Sequence, residues 1–336
     1  MSNKILITGA GGYIGSITSY RLLEEGFDIV GIDNFSTGYR QPLEVLQKEF
    51  GEGRVSFYQK STLDNLSEIF EIHKDIIGCI HFAASLSVND SMEDPLGYFK
   101  NNVEGSRNLL EQLLKNNIKN FIFSSTCASF GDAEYLPLDE DHPQKPVSVY
   151  GESKLMVEKI IKWLGVLKGL NYVILRYFNV CGALENGLLG DAKKPSPHLM
   201  QNAVKGALGL AEFNLTYPQV DTPDKSPIRD YVDVVDLADA HVLAIKYLLD
   251  GKKSDVFNLG TGNGNSVLEI VKKVQQISGK TFDLKKGEAR KGDATKVYAS
   301  NKKAKELLGW EPKRNLEVSI RSLIKWYGSH PEGWDN

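Results

Sequence analysis

Several things are scarce in this sequence. Its 336 residues hold three cysteines, Cys79, Cys127 and Cys181. An odd count set inside apolar runs fits buried free thiols in a reducing compartment better than a disulfide framework. No apolar stretch reaches about 18 residues, so no membrane span is expected. No charged and apolar leader precedes the first strand, and a cytoplasmic location is the expectation. The formal net charge is only −3, which favours neither nucleic acid nor a membrane surface as partner. The six histidines are scattered, and none pairs with Cys or an acid at metal-ligand spacing, so no metal is expected. There are no internal repeats and no low-complexity segments. What remains is an ordinary soluble composition, 41% hydrophobic and 25% charged, in a chain longer than one typical domain.

The start of the chain carries the first positive signal. Ile5-Leu6-Ile7 is apolar without alternation, as in a strand buried on both faces of a parallel sheet. Glycines follow at 9, 12 and 15, then a helical segment from Ser16 to Glu25. A second apolar strand, Ile29 to Ile32, ends in Asp33-Asn34. This is a βαβ unit that brings backbone N–H groups and a helix N-terminus under a diphosphate. An acid at Asp33 can accept hydrogen bonds from ribose hydroxyls and repels a 2′-phosphate, so NAD is favoured over NADP. The spacing Thr8-Gly9-x-x-Gly12-x-x-Gly15 is one residue longer than G-x-G-x-x-G, which would need glycine at Ile14. A glycine triplet alone would read equally as a turn without a ligand. The ordered strand, triplet, helix, strand and Asp favour the cofactor.

Strand and helix then alternate. Helices are expected over Gln41–Phe50, Leu66–Ile72, a long amphipathic run from Pro95 with Phe99, Val103, Leu110, Leu113 and Leu114 near one face, and Val147–Gly165. Strands are expected over Val55–Tyr58, Gly78–Ala84, Asn120–Ser125 and Tyr172–Arg176. The pattern predicts an α/β doubly wound parallel sheet, Rossmann-like. Regularity fails after about Cys181, where residues 182–230 hold many Gly and Pro and read as a loop-rich insertion around a helix at Leu199–Leu208. It resumes with a helix at Asp236–Leu249 and a strand at Asp255–Leu259. Helices at Val267–Ser278 and Asn315–Tyr327 follow. The expected organisation is a cofactor domain over 1–180 plus about 229–262. A smaller α/β C-terminal substrate-binding domain is expected from about 181–228 and 263–336.

Tyr150-Gly-Glu-Ser-Lys154 puts a phenol and an amine on one helix face. A tyrosine is a poor base at pH 7, but a nearby ammonium and a nicotinamide cation both favour its phenolate. Tyr150 is therefore a candidate acid/base, with Lys154 beside it. Tyr-x-x-x-Lys also arises by chance in ordinary helices. Here it stands one element after Ser124-Ser125-Thr126, and Thr126 ends a strand on the side where open α/β sheets bind ligands. The plainer reading of Thr126 is a strand-end residue closing a turn.

The ordered set resembles the extended short-chain dehydrogenase/reductase family, and within it the UDP-hexose 4-epimerases. It comprises the glycine motif, Asp33-Asn34, His81-Phe82-Ala83-Ala84, Ser-Ser-Thr126, Tyr150-x-x-x-Lys154 and Arg176-Tyr177-Phe178-Asn179. Further matches are Arg229-Asp230-Tyr231-Val232, Asn258-Leu259-Gly260-Thr261-Gly262, Arg290-x-Gly292-Asp293, Leu308-Gly309-Trp310 and His330-Pro331-x-Gly333. The likeness runs from about residue 4 to the end. It implies NAD-dependent epimerisation at C4 of a UDP-sugar through a transient 4-keto sugar, with Thr126, Tyr150 and Lys154 catalytic. It implies Gly9, Gly12, Tyr13, Ile14 and Gly15 at the cofactor diphosphate, and Asp33, Asn34, Thr37 and Ser61 on the adenosine side. Phe82, Ala83, Asn101, Lys154, Tyr177 and Phe178 would line the nicotinamide half. Asn179, Leu199, Phe213, Arg229, Tyr231, Arg290 and Asp293 would surround the substrate nucleotide, the two arginines as a fork on its diphosphate. Val297 would lie near the C2 substituent of the sugar, where a small residue leaves room for an N-acetyl group.

The chain departs from the family pattern at several positions. Ser61 replaces an acid, Phe130 a Tyr, Asp233 a His and Leu86 a Lys found in some members. The 221–227 loop is about three residues longer than typical. A homodimer is implied, with Leu109, Leu113, Leu155, Val157 and Ile161 as candidate interface positions. Rival readings on the same scaffold are a uronate epimerase, a decarboxylase, a 4,6-dehydratase and a non-catalytic NAD-sensing protein. A dehydratase would carry Asp-Glu directly after Thr126, where Cys127-Ala128 stand. A sensor would be expected to have lost Tyr150 or Lys154.

Overall fold

The structure is a computed structural model that describes residues 3–215, 217–282 and 294–334, with the backbone alone at 285–286. Among the described residues the strands are β1 (Lys4–Thr8), β2 (Asp28–Asp33), β3 (Val55–Gln59), β4 (Ile76–His81), β5 (Asn120–Thr126), β6 (Asn171–Tyr177), β7 (Asn179–Cys181), β8 (Asn214–Leu215), β9 (Ile228–Asp233), β10 (Asp255–Leu259), β11 (Gly264–Ser266), β12 (Lys285–Lys286) and β13 (Lys296–Val297). The α-helices are α1 (Tyr13–Glu24), α2 (Gln41–Phe50), α3 (Ser67–Ile72), α4 (Val88–Glu93), α5 (Pro95–Tyr98), α6 (Gly105–Lys115), α7 (Val149–Lys168), α8 (Leu199–Ala207), α9 (Val234–Leu249), α10 (Val267–Ser278) and α11 (Leu316–Ser329).

Seven strands form one sheet in the order β10-β6-β5-β4-β1-β2-β3. The pairs β1–β2, β2–β3, β1–β4 and β4–β5 are parallel. The strand order reverses between β1 and β4, and doubly wound sheets take their ligands outside the carboxyl ends at such a point. The expected Rossmann-like architecture is therefore present. Ile5, Leu6 and Ile7 have no exposed surface, which explains an apolar run without alternation. The chain divides into two compact units. One comprises Met1–Gly131, Pro143–Arg176 and Ala238–Phe257, the other Asp132–His142, Tyr177–Leu237 and Asn258–Asn336.

The core of the first unit packs Leu6, Val30 and Cys79 of the sheet with Leu109, Leu113, Val157 and Ile161 of the helices. This corrects an expectation: Leu109, Leu113, Leu155, Val157 and Ile161 are all buried. They cover their own sheet and cannot also meet a second subunit. The apolar side chains α7 exposes are Met156, Trp163, Val166 and Leu167.

Three further expectations change. The helix from Pro95 is not uniform: a π-helical stretch, Phe99–Glu104, joins α5 to α6. Its wider turn shifts the buried face, so that Asn102 is its buried residue while Phe99 and Val103 are only half-buried. β4 ends at His81 rather than Ala84. Thr8 takes the chain away, its carbonyl accepting from Phe82 N–H at 3.1 Å and its hydroxyl from Ala83 N–H at 3.2 Å. The stretch read as a loop-rich insertion, residues 182–230, contains β8 and the first half of β9, and β7 ends just before it. β9 pairs with β7 and β13 in parallel and with β11 antiparallel. Its two aspartates, poor strand residues, hid it.

α7 has the ends its sequence calls for. The Ser148 hydroxyl accepts from Gly151 N–H at the start, and Gly169 takes a left-handed conformation at the end.

Candidate active site

The glycine loop leaves β1 at the switch point. Gly9 has φ +68°, and a Cβ there would meet the Ala83 nitrogen at 2.8 Å. A Cβ on Gly15 would lie 2.2 Å from the Gly9 carbonyl oxygen, so the first turn of α1 presses on the loop. Gly12 caps α1 without any side-chain acceptor, so the helix starts on backbone alone, as helix N-termini that receive anions do. At the end of β2, Asp33 accepts from Gly11 N–H at 3.0 Å and Phe35 N–H at 2.7 Å. Those bonds fix its carboxylate beside the loop. Asn34 and Thr37 are exposed on the following turn, and the Asn34 amide oxygen accepts from Ser36 N–H. These residues fit NAD: a cradle a side chain would fill, a bare helix start and a fixed acid. After β3, the Ser61 hydroxyl accepts from Leu63 N–H at 3.2 Å, and the exposed Asp64 accepts from Ser61 N–H at 2.7 Å.

His81 closes β4 as a neutral ring. Burial holds it down to about 3, and the Lys154 charge adds to that. Ser106 donates to the Asn102 carbonyl and so is free to accept from His81 Nε2–H at 2.8 Å. The Thr8 hydroxyl then donates to Nδ1 at 2.6 Å. Phe82 lies against His241, 4.7 Å between rings. Asn101 donates to the Ser85 hydroxyl at 3.1 Å. Asn102, which gave no signal in the sequence, ties the post-β4 loop to α7. It accepts from Ser85 N–H at 2.8 Å and donates to the Ser85 carbonyl and the Ser153 hydroxyl, each at 3.0 Å. π-helical insertions of this kind recur at functional sites.

Thr126 is the last residue of β5, and its hydroxyl accepts from Ala128 N–H at 3.1 Å to start a short 3₁₀ turn. Tyr150 and Lys154 occupy successive turns of α7. The backbone of Tyr150 is held by Ser91, whose hydroxyl accepts its N–H at 3.1 Å. Its ring is half-buried. Lys154 is buried, donates to the Ser124 carbonyl at 2.9 Å and lies 4.9 Å above the Phe123 ring. Burial lowers its amine to about 7, and the Glu158 charge opposes that.

In the second unit, Asn179 stands opposite Tyr231 in the β7–β9 register, and Arg229 opposite Val297 in β9–β13. Arg229 and Tyr231 are two residues apart, on one face of β9. Tyr231 is buried and stays protonated, its hydroxyl bonded to Asn179. Arg229 donates from Nη1 to the Ile228 carbonyl at 3.0 Å. Leu199 opens α8, half-buried, and Phe213 packs edge-on to Phe282 at 5.3 Å. Phe178 is buried and Tyr177 half-buried where β6 gives way to β7. Arg290 and Asp293 lie outside the described residues. The 221–227 loop is pinned through Asp224, which accepts from Ser226 within the loop and from Ser266, the cap of α10. Among the described residues no group of three or more His, Cys, Asp or Glu side chains is placed to hold a metal ion. Likewise none of the helices is long and apolar enough to cross a membrane.

Residues 5–260 match the model of the NAD dependent epimerase/dehydratase family. The sequence is 42% identical to the UDP-glucose 4-epimerase of Lacticaseibacillus casei, over 98% of each chain. The fold is similar to that of UDP-glucose 4-epimerase from Bifidobacterium longum, solved with NAD+ and UDP. The TM-score is 0.93 and the identity 34%, over 99% of this chain and 100% of the other. It is also similar to the UDP-Glc/GlcNAc 4-epimerase of Campylobacter jejuni, with a TM-score of 0.83 and 33% identity over 98% and 100% of the two chains.

Proposed function

The chain belongs to the NAD-dependent epimerase/dehydratase family, and from that premise we propose that it is a UDP-hexose 4-epimerase interconverting UDP-glucose and UDP-galactose. The observation that carries this reading is the end of β5 against α7. Thr126 stands at the carboxyl edge of the sheet, and Lys154 is buried one turn after Tyr150 on a helix that its amine ties to Ser124.

NAD, when bound, would supply the hydride acceptor and donor for C4 of the sugar, whose 4-keto form could be reduced from either face. Gly9, Gly12, Tyr13, Ile14 and Gly15 would hold its diphosphate. Asp33, Asn34, Thr37 and Ser61 would take its adenosine side, and Phe82, Ala83, Asn101, Lys154, Tyr177 and Phe178 its nicotinamide side. Tyr150 removes the proton from the O4 hydroxyl and later gives it back. The Lys154 ammonium stabilises the phenolate that Tyr150 must become. Thr126 hydrogen-bonds the same sugar oxygen. Asn179, Leu199, Phe213, Arg229 and Tyr231 anchor the nucleotide while the sugar turns over, together with Arg290 and Asp293.

A 4,6-dehydratase needs a further acid and base, and Cys127-Ala128 follow Thr126. We also assign a homodimer, built on the exposed face of α7 around Met156, Trp163 and Val166. A cytoplasmic location fits three cysteines of which none forms a disulfide. The test is purified protein with UDP-galactose and no added NAD. UDP-glucose formation supports the epimerase. Bound NAD without turnover supports a sensor, and turnover of only uronate sugars a different epimerase.

A further inference from the structure

Beneath Tyr150 and Lys154 lies a charged group that the proposed reaction does not use. Glu158 follows Lys154 by four residues, as Lys154 follows Tyr150, so all three share one face of α7. Its carboxylate has no exposed surface, and its partner Arg176, from β6, is almost as deeply buried. Oε1 of Glu158 accepts from the Ser125 hydroxyl at 2.6 Å and from Arg176 Nε at 3.0 Å. Oε2 accepts from Arg176 Nη2 at 2.7 Å and from Gln144 Nε2 at 3.2 Å. The guanidinium lies 5.1 Å from the Phe130 ring centroid.

A buried ion pair is a weak source of stability, because a well-packed apolar pair of similar volume often does as well or better. The location of this one gives it another use. Ser125 sits between Ser124, whose carbonyl takes Lys154, and Thr126. The last two residues of β5 before Thr126 are thus tied to α7 one after the other, Ser124 to Lys154 and Ser125 to Glu158.

We infer that Glu158 is a positioning residue for the Tyr150–Lys154 site: clamped by Arg176, its carboxylate pins α7 to the end of β5 one turn beyond Lys154 and so sets the place and surroundings of that amine. The inference deepens the epimerase reading and rests on it. The groups around Lys154 explain why one carboxylate matters. From α7 it meets Tyr150 and Glu158. From β4 comes His81, neutral, and from β5 the Phe123 ring and the Ser124 carbonyl. The amides of the π-helical stretch are engaged elsewhere, Asn101 with Ser85 and Asn102 with Ser85 and Ser153, and on β6 Arg176 is ion-paired with Glu158 itself. Among the described residues, Glu158 is the one charge that opposes the loss of the Lys154 proton on burial.

The experiment compares wild-type holoenzyme with Glu158→Gln and with the double variant Glu158→Gln/Arg176→Gln. Two readouts are taken: kcat and KM against pH, and the 15Nζ NMR titration of Lys154. In Glu158→Gln the Lys154 titration and the alkaline limb of kcat are expected to move down by about one pH unit. That corresponds to about a tenfold change in the charged-to-neutral ratio, with KM changed less than about twofold. The double variant removes both ions and leaves no unpaired charge, so it remains testable if the single variant fails to fold. Its shift is expected in the same direction and smaller. A wild-type Lys154 titration in a folded variant, with activity lost only as thermal stability is lost, overturns the inference. Wild-type protein without epimerase activity instead overturns the reaction reading, and the NMR titration still reads the role of Glu158 directly.

Discussion

Thr261 closes on Asp230 twice, through its N–H at 2.8 Å and its hydroxyl at 2.6 Å. Gly262 and Ala299 add their N–H groups at 3.2 and 3.1 Å. The Asp of the Arg229-Asp230-Tyr231 motif therefore lies on the opposite face of β9 from Arg229 and Tyr231 and ties Thr261, Gly262 and Ala299 onto that strand. Asp230→Ala strands four donors and is expected to cost about 3–5 kcal/mol. Asp230→Asn, which keeps an acceptor, is expected to cost about half as much. Urea unfolding at constant m-value measures both.

Tyr150→Phe removes the acid/base oxygen and keeps the ring. Turnover is expected to fall by more than roughly 100-fold while NAD stays bound. Activity retained within about tenfold, or 1.4 kcal/mol of barrier, would show that another group moves the proton.

Asp233 accepts from Ser319 at 2.6 Å and from Val235 N–H at 2.8 Å, yet burial pushes its carboxyl up to about 7. A folded-state value raised above the unfolded one means stability that is complete at low pH. That stability is lost as pH rises from about 4 towards 7. Asp233→Asn does not titrate. Its melting temperature relative to wild type is therefore expected to rise by roughly 3–5 °C between pH 5 and pH 8. A gap constant with pH, measured by calorimetry, contradicts the raised carboxyl.

Val297 stands opposite Arg229 in the β13–β9 register and is half-buried. If it borders the C2 substituent of the sugar, wild type accepts UDP-N-acetylglucosamine and UDP-N-acetylgalactosamine alongside the plain pair. Val297→Tyr is expected to lower kcat/KM for the acetylated pair by roughly 10–200-fold relative to the other. An unchanged ratio, or a wild type that rejects the acetylated sugars, removes the gate.

Sedimentation is expected to give a dimer at micromolar concentration. Trp163→Glu, on the exposed face of α7, is expected to yield a folded monomer. Dimers that survive this change place the interface elsewhere.

Most of the first unit was legible in the residues, because unbroken apolar strands and glycine-ended helices announce themselves locally. α2, β10 and α10 fall on their expected bounds. The failures have a common cause. β9 carries buried acids whose partners, such as Thr261 and Ser319, are distant in sequence. Asn102 is buried only because a π-turn rotates it inward. The misassigned interface residues looked surplus because an apolar position does not reveal which of two layers it faces. Glu158 could have been found: it extends the four-residue spacing from Tyr150 through Lys154.

The interleaving of the two units along the chain bears on how the protein is made. The first unit closes with Ala238–Phe257, and β6 has no neighbour on its outer side until β10 pairs there. A ribosome that has emitted residues up to Arg176 holds a nascent sheet with one open edge, the arrangement most prone to pairing with a foreign strand. That edge stays open while the 61 residues from Tyr177 to Leu237 are synthesised, and for the additional time that α9 and β10 take to clear the exit tunnel. At about 5–20 residues per second the wait lasts several seconds. Slow codons in that interval would lengthen the exposure, so yield in a heterologous host is expected to depend on codon choice between 177 and 257 more than on choice after it.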